Sequence, residues 1–370
     1  MNPKRHIAFL TDKLSIGGVG RVLVNFANEL SFRGFRVDLV VGKGTGPYSE
    51  LLSTQVKIFE IGTTNRLGAL PKLAAYLLLN RPAVLATDRL RLNFLALDAT
   101  RLTMSKAKVV MTAHVPLSMR LARISPSKRK KMAKRIKAYI PRNHSLIGVS
   151  KGVARDMVNS LGFPPEKTHV IYNPIITPKM LQMAGDPVDH PWFKEKTLPI
   201  LLSAGRFYDQ KDFPMLINAF EKVWKRQKCR LVILGEGKEK ENIVKLVRQK
   251  GLSQFVFMPG FVINPYKFMA KANIFVLSSK WEGFGNVLAE AMALGTPVVS
   301  TDCQYGPNEI LENGKYGPLV PVGDTEAMAK AIEEVLSAPL PKQLLRKGAD
   351  RFGVEQSVRK FTKVLGWELD

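Results

Sequence analysis

The sequence predicts an α/β protein made of two domains in tandem, each built around a parallel sheet. Short apolar runs alternate with stretches of helical periodicity along most of the 370 residues. This alternation is typical of parallel strands that are covered by helices on both faces. The proline-rich segment 173–199 interrupts the pattern once, and the alternation then restarts. A chain of this length is sufficient for two domains.

The first half starts with a short apolar strand over residues 6–11, which leads into a glycine-rich turn over residues 16–20. A helix is predicted over residues 21–32, because Val22, Phe26 and Leu30 share one side of it and Gly34 follows its end. Further strands are predicted over residues 37–41, 83–86, 109–112, 145–149 and 170–172.

The second half repeats this organisation. Strands are predicted over residues 200–204, 230–234, 256–258, 274–277 and 298–300, with helices over residues 213–226 and 239–250. A last helix is expected over residues 354–365, because Val358, Phe361 and Leu365 fall on one side, and such a tail could cross back to the first domain. The predicted domains are therefore residues 1–187 together with 354–370, and residues 188–353.

Composition indicates a folded globular protein, since 45% of the residues are hydrophobic and the glycine and proline contents are ordinary. The apolar run at the N-terminus is too short for a signal peptide, and residues 73–79 are too few to span a bilayer. We therefore expect a cytoplasmic protein without a transmembrane helix. Cys229 and Cys303 lie in strand-like apolar contexts, which favours buried, reduced thiols.

Positive charge is concentrated in the first half of the chain. The net charge is +25, and 30 of the 56 basic but only 10 of the 31 acidic residues precede residue 188. No acidic residue occurs between Asp98 and Asp156. This gap contains a basic amphipathic helix, in which Met132, Ile136 and Tyr139 fall at helical spacing and the cations cover the other face. The cations are Lys128, Arg129, Lys130, Lys131, Lys134, Arg135 and Lys137.

A helix of this kind suits an anionic membrane surface or a phosphorylated ligand. A solvated helix face, docked by its apolar stripe, remains an alternative. Nucleic acid is not expected as a partner, because no aromatic stacking pattern or recognised binding motif accompanies the charge.

Three strand ends carry candidate ligand-binding residues. Gly17 and Gly18 lie where the first strand enters a helix, so a ligand can approach the backbone and an anion is favoured, although a tight turn without a ligand fits equally well. Arg206 and Lys211 follow the first strand of the second domain and suit a phosphate group. His114 ends another strand and can donate to a sugar hydroxyl or carry a proton, or be purely structural.

Two acids, Glu282 and Glu290, bracket a glycine-rich turn and the start of a helix. Eight residues apart, they would not share a face of one helix, so Glu282 is predicted in the loop and Glu290 about one turn into the helix. Unpaired N–H groups at the start of that helix are expected to face phosphate. The predicted contributors are Gly285, Asn286, Val287 and Leu288. No Asp-x-Asp motif occurs, and neither a metal nor a cofactor is predicted.

Together these residues resemble the retaining glycosyltransferases with the GT-B fold, a family that includes bacterial mannosyl-, capsule and O-antigen transferases. The resemblance covers nearly the whole chain, and its most specific part is the spaced glutamate pair combined with the Arg206 and Lys211 pair. It implies two Rossmann-like domains that face each other across a cleft, with a C-terminal helix returning to the first domain.

The resemblance also implies roles for individual residues. Arg206 and Lys211 would hold the donor diphosphate, Glu290 the ribose hydroxyls and Glu282 the hydroxyls of the donor sugar. His114 would reach the donor sugar from the first domain, and Gly17 with Gly18 would face the diphosphate and acceptor. Val262 stands where the family contacts the nucleobase.

The expected activity is metal-independent transfer of a hexosyl or N-acetylhexosaminyl unit, most simply from a UDP-sugar, to a lipid-linked glycan. The expected setting is surface polysaccharide or lipopolysaccharide synthesis, at the cytoplasmic face of the inner membrane. Two other functions stay open: a nucleotide-sugar epimerase on the same architecture, and a non-catalytic basic protein that binds membranes.

Overall fold

The computed structural model describes residues 5–14, 17–44, 46–195 and 197–368. Ile16 of the predicted glycine-rich turn and the last two residues of the predicted tail lie outside these ranges. The chain forms two units, Met1–Pro174 with Val354–Asp370 (unit 1) and Ile175–Gly353 (unit 2).

Unit 1 is built on a parallel sheet. Its strands are β1 His6–Thr11, β2 Arg36–Val41, β3 Lys57–Glu60, β4 Val84–Thr87, β5 Lys108–Ala113, β6 Ser145–Gly148 and β7 Thr168–Val170. Within the described residues the sheet has seven strands in the order β3-β2-β1-β4-β5-β6-β7. Every residue of β1 is buried, as expected for a central strand that helices cover on both faces.

Helices cover this sheet. They are α1 Gly18–Phe32, α2 Arg66–Asn80, α3 Leu90–Leu102, α4 Leu117–Ala122, α5 Pro126–Tyr139 and α6 Lys151–Arg155, the last of which continues into a π-helical turn, Asp156–Ser160. Leu73 and Leu77 of α2 pack with Leu92 and Leu95 of α3 in one apolar cluster against the sheet.

Unit 2 repeats the arrangement. Its strands are β8 Ile200–Ala204, β9 Arg230–Leu234, β10 Val256–Gly260, β11 Ile274–Leu277, β12 Val298–Thr301 and β13 Leu319–Val320. The described part of the unit forms a six-stranded parallel sheet in the order β10-β9-β8-β11-β12-β13.

The helices of unit 2 are α7 Pro178–Ala184, α8 Pro191–Glu195, α9 Phe213–Arg226, α10 Lys240–Gln249, α11 Tyr266–Met269, α12 Asn286–Ala293, α13 Pro307–Ile310, α14 Thr325–Ser337 and α15 Lys342–Ala349. Leu216 and Phe220 of α9 pack with Met328 and Ile332 of α14 in the main apolar core. The predicted α/β architecture is therefore confirmed in both units.

The last helix, α16 Val354–Val364, belongs to unit 1 as predicted. The ring of Phe361 lies 5.4 Å from that of Phe26 in α1 and 6.3 Å from that of Phe9 in β1. Lys108 Nζ donates to the carbonyl of Leu365 at 2.7 Å. The apolar side of α16 thus packs against the sheet and against helix α1 of unit 1.

The units divide at residue 174/175, whereas the sequence placed the boundary at 187/188. Residues 175–187 are not a free connection, because they contain α7 and are bonded into unit 2. Asn264 Nδ2 donates to Met183 O at 2.7 Å, and Ile175 N–H donates to Phe352 O at 3.0 Å.

Two other features bear on the sequence expectations. Among the residues that the structure describes, every helix is too short or too polar to cross a membrane. Cys229 and Cys303 are free and buried, and burial raises the pKa of each thiol to about 12, so both are inert at neutral pH.

Candidate functional site

The carboxyl edge of the unit 2 sheet gathers the residues that the sequence singled out in the second domain. β8 lies between β9 and β11, so the direction in which the chain adds strands reverses beside it. In open α/β sheets, such a reversal opens a crevice at the strand ends where ligands bind. Arg206 and Lys211 follow β8, and Glu282 follows β11.

Lys211 and Glu282 form a direct ion pair. Lys211 Nζ lies 2.6 Å from Glu282 Oε1, and the two side chains are only 15% and 9% exposed. Ser279 Oγ donates to the same carboxylate oxygen at 2.7 Å. The resemblance assigned Lys211 to the donor diphosphate and Glu282 to the donor sugar, and the structure brings the two side chains together in one charged cluster. An ammonium group has three donors, so the pairing leaves Lys211 able to bind a second anion.

The loop after β8 is shaped around Lys211. An added Cβ on Gly205 would lie 2.7 Å from Lys211 Cε, so the lysine stem lies directly over the glycine. Ser278 Oγ donates to Lys211 O at 2.7 Å, and Gln210 Nε2 donates to Trp281 O at 2.9 Å. These bonds fasten the loop of Lys211 to the loop of Glu282.

Arg206 is exposed at the same edge. Its guanidinium carbon lies 5.4 Å from the ring centre of Tyr208. A planar guanidinium held over a ring at the surface can bind a phosphate with two parallel hydrogen bonds.

Helix α12 begins as predicted, directly after the glycine-rich turn. Gly285 has φ +99°, a left-handed conformation that other residues rarely adopt, and it allows the abrupt entry into the helix. Glu290 lies one turn into the helix and is 7% exposed. The expectation of an unpaired N–H at Leu288 is wrong, because this group donates to Gly285 O at 2.9 Å in a tightened first turn.

Val262 follows β10 at the same edge and is half-buried. Its place next to the strand end is compatible with contact to a flat ligand. No described contact assigns Val262 a partner, so its role in nucleobase binding stays a prediction.

In unit 1, His114 directly follows β5 and is half-buried. Burial, assisted by the charge of Arg89, lowers the pKa of His114 to about 4. The imidazole is therefore neutral at physiological pH, so it can donate or accept a hydrogen bond but does not supply a positive charge.

Gly17 and Gly18 stand at the start of α1, at the carboxyl end of β1. Gly17 has φ +125° and an added Cβ would meet no atom within 4 Å, so the backbone there is open to a ligand. Gly18 is exposed as the first residue of the helix.

Sequence reasoning missed two acids in unit 1. Asp156 is 3% exposed and accepts hydrogen bonds from the Ser118 backbone N–H at 3.1 Å and from the Ser118 hydroxyl. It thereby holds the start of α4, a few residues after His114. Asp88 follows β4 at the carboxyl edge of the sheet. Its position directly after a buried strand is the sequence feature that could have identified it.

The basic helix α5 forms as predicted, with Ile136 buried and Lys128, Lys130, Lys131, Lys134 and Lys137 exposed. Two of its arginines have partners within the unit. The guanidinium of Arg135 lies 4.5 Å from the ring centre of Phe94, and Arg129 donates to Ala122 O at 3.0 Å. Arg135 therefore belongs partly to the docked face of the helix, so the lysines form most of its free cationic face.

Two family models match the chain in succession. Residues 16–178 match Glycosyltransferase Family 4, and residues 188–351 match Glycosyl transferases group 1. These matches follow the two units. Both units are therefore glycosyltransferase domains.

Two relatives with similar sequences are also named as glycosyltransferases. The chain is 33% identical over 201 residues to the N-acetylgalactosamine-N,N'-diacetylbacillosaminyl-diphospho-undecaprenol 4-alpha-N-acetylgalactosaminyltransferase of Campylobacter jejuni, covering 54% of this chain and 53% of the relative. It is 33% identical over 200 residues to the lipopolysaccharide core biosynthesis glycosyltransferase LpsE of Rhizobium meliloti, covering 54% and 56%. The alignments thus span about half the length of these relatives.

Solved structures of GT-B glycosyltransferases share the fold over the whole chain. Anabaena HepE in complex with UDP and glucose superposes with a TM-score of 0.79 at 20% identity, over 97% of this chain and 99% of HepE. The lipopolysaccharide outer core galactosyltransferase WaaB superposes with a TM-score of 0.72 at 19% identity, over 97% and 99%. The GT-B fold that the sequence predicted is therefore shown.

Proposed function

We propose that this protein is a retaining, metal-independent glycosyltransferase that moves a hexosyl or N-acetylhexosaminyl unit from a UDP-sugar to a lipid-linked glycan. The observation that carries the proposal is the charged cluster formed by the Lys211–Glu282 ion pair at the carboxyl edge of the unit 2 sheet, with Arg206 exposed on the same loop after β8. Two cations suit a diphosphate, and a carboxylate beside them can accept hydrogen bonds from sugar hydroxyls.

The chemistry of glycosyl transfer fits this cluster. The bond between the sugar carbon and the diphosphate oxygen breaks through an oxocarbenium-like state, and negative charge builds on the leaving phosphate. Arg206 and Lys211 stabilise that charge. The acceptor oxygen attacks from the same face, and its proton passes to the departing phosphate, so the configuration at the sugar carbon is retained.

The remaining residues bind and orient the donor. Glu290 accepts from the ribose hydroxyls, Val262 contacts the base, and the backbone from Gly285 to Val287 faces the phosphates. In unit 1, neutral His114 donates to a hydroxyl of the transferred sugar.

The acceptor is inferred from the relatives and from the charge of unit 1. The name of the Campylobacter jejuni relative includes a diphospho-undecaprenol substrate, and LpsE is named for lipopolysaccharide core biosynthesis. A peripheral position on an anionic membrane, at its cytoplasmic face, would present the protein to such a substrate. The exposed lysines of α5 supply the attraction.

The proposal is tested by incubating the purified protein with UDP-, GDP- and ADP-sugars and measuring released nucleotide. We expect release from at least one UDP-sugar, unaffected by a chelator, and a product whose anomeric configuration by NMR matches that of the donor. Isomerised sugar nucleotide from donor alone would instead identify an epimerase. Absence of turnover with every donor, together with membrane binding, would favour a non-catalytic protein.

A further inference from the structure

A second carboxylate site lies at the carboxyl edge of the unit 1 sheet. Asp88 directly follows β4, which is paired with β1 on one side and with β5 on the other. The strand order reverses at β1, where β2 is the other neighbour, so Asp88 stands at the topological switch point of this sheet. His114 follows the neighbouring strand β5.

Only one of the two carboxylate oxygens of Asp88 accepts a hydrogen bond from the described residues. Thr11 Oγ1 donates to Asp88 Oδ2 at 2.9 Å, whereas Oδ1 has no hydrogen-bond partner among the described residues. The side chain is 9% exposed at the sheet edge. A buried carboxylate oxygen without a donor costs free energy, and such groups persist mainly where a ligand completes them.

The nearby cations are already engaged by another acid. Arg89 lies 3.1 Å from Asp12 Oδ2, Arg91 also binds Asp12, and Arg89 comes only within 3.9 Å of Asp88. Burial, with too little compensating positive charge, raises the pKa of Asp88 to about 6. The carboxylate is thus ionised at neutral pH and lacks one donor.

We propose that Asp88 binds the acceptor by accepting a hydrogen bond from one of its sugar hydroxyls; this rests on the transferase function proposed above. A hydroxyl is a neutral donor, which suits a carboxylate site that also contains Asp12 and would repel a phosphate. Arg206 and Lys211, which suit the donor diphosphate, lie in unit 2, and His114 already serves the donor sugar in our proposal, so we assign the carboxylate of Asp88 to the acceptor. Oδ1 is buried in this structure, so binding requires a partial rotation about the soft χ2 torsion of Asp88 that brings Oδ1 to the sheet edge while Oδ2 stays with Thr11.

Asp88→Asn is the variant that tests this role. Thr11 would keep the amide oxygen as its acceptor, so the NH₂ group, which cannot accept, would turn to the ligand. Thr11→Val is the matched control, because it removes only the structural bond. The measurements are donor hydrolysis without acceptor, and kcat/KM for farnesyl-diphosphate-linked mono- and disaccharides.

We expect Asp88→Asn to lower kcat/KM for the acceptor about 10- to 100-fold and to leave donor hydrolysis within twofold, as for loss of one charge-assisted hydrogen bond. Thr11→Val should leave both within about threefold. Acceptor KM of the wild type should also rise as the pH falls through about 6, and this dependence should vanish in Asp88→Asn. The charged neighbours are Asp12, Arg89 and Arg91, and the titratable His114 ends the neighbouring strand. The arginines stay charged throughout, and His114, with a pKa of about 4, is neutral near pH 6.

Unchanged acceptor kinetics in Asp88→Asn, or an equal loss of donor hydrolysis, would overturn the acceptor assignment and leave the transferase function standing. If the variant does not fold, an acceptor KM of the wild type that stays flat between pH 5 and 8 would overturn it. A wild-type protein that releases nucleotide from no donor would overturn the transferase function and the role of Asp88 with it.

Discussion

Lys211 and Glu282 are 71 residues apart in sequence, yet Lys211 Nζ lies 2.6 Å from Glu282 Oε1. The pair joins the loop after β8 to the loop after β11 across the switch point of the unit 2 sheet. Both side chains are mostly buried, so neither charge is well solvated without the other. The same two groups can therefore stabilise the fold and bind a donor.

Removal of Lys211 is expected to affect activity and stability together. Lys211→Ala should cost about 2–4 kcal/mol of transition-state stabilisation. It should also lower the free energy of unfolding by about 1–3 kcal/mol, because Glu282 stays buried without its cation. Urea denaturation and kcat/KM with the preferred donor measure the two effects.

A double variant separates the effect on stability from the effect on activity. Lys211→Ala combined with Glu282→Ala should recover part of the lost stability but none of the activity, since no unpaired charge remains. As a control, Lys225→Ala breaks a pair with Glu221 in which the lysine is 64% exposed, and it should change stability by less than about 1 kcal/mol. Full activity in Lys211→Ala would be incompatible with the proposed site.

Gly205→Ala is expected to weaken donor binding without unfolding the protein. The new methyl group would lie 2.7 Å from Lys211 Cε, and the flexible lysine stem can move aside. Titration with UDP should show an affinity at least about tenfold weaker, with a Tm within a few degrees of the wild type. Unchanged affinity would mean that the position of Lys211 over Gly205 is irrelevant to the ligand.

His114 makes stability depend on pH in a defined direction. Its pKa is lowered to about 4 in the folded protein, so only the unfolded chain binds a proton at this side chain between pH 6.5 and about 4. The contribution of His114 to stability is therefore complete above pH 6.5 and is lost as the pH falls towards 4. Chemical denaturation of wild type and His114→Gln at pH 7.5 and 4.5 should show a smaller loss in the variant. Equal losses would contradict a neutral, desolvated imidazole.

The lysines of α5 are expected to direct the protein to anionic membranes. Replacing Lys128, Lys130 and Lys131 by serine should abolish binding to liposomes that contain phosphatidylglycerol, because each cation contributes about 1 kcal/mol. The control replaces three exposed lysines of unit 2, Lys245, Lys330 and Lys347. Both variants lose the same charge, so equal loss of binding would indicate nonspecific attraction to the whole protein.

Much of the fold could be predicted because buried parallel strands are continuous apolar runs. β8, β9 and β11 lie at the predicted bounds. β3 was missed because its side chains are largely exposed and its sequence, Lys-Ile-Phe-Glu, has no apolar run. β7 lies at 168–170, not 170–172, because its pairing with β6 places Val170 at its end.

The candidate site was predictable as a set of residue types but not as contacts. Strand-end placement was sufficient to choose Lys211 and Glu282, whereas their ion pair depends on which strands are neighbours. The hydrogen bond from Leu288 N–H to Gly285 O forms because the first turn of α12 is tighter than an α-helical turn. No residue pattern in the sequence predicts this tightening. The stacking of Arg135 on Phe94 likewise requires the packing of α5 on α3.

Transfer of labelled sugar tests the central claim most directly. Wild type and Lys211→Ala would be incubated with the UDP-sugar chosen by the nucleotide-release screen and with polyprenyl-diphosphate-linked saccharides, and label in the lipid product would be counted. We predict a labelled lipid-linked product with the wild type and a rate about 30- to 1,000-fold lower with the variant. No labelled product with the wild type, or equal rates for the two proteins, would contradict a transferase centred on Lys211 and Glu282.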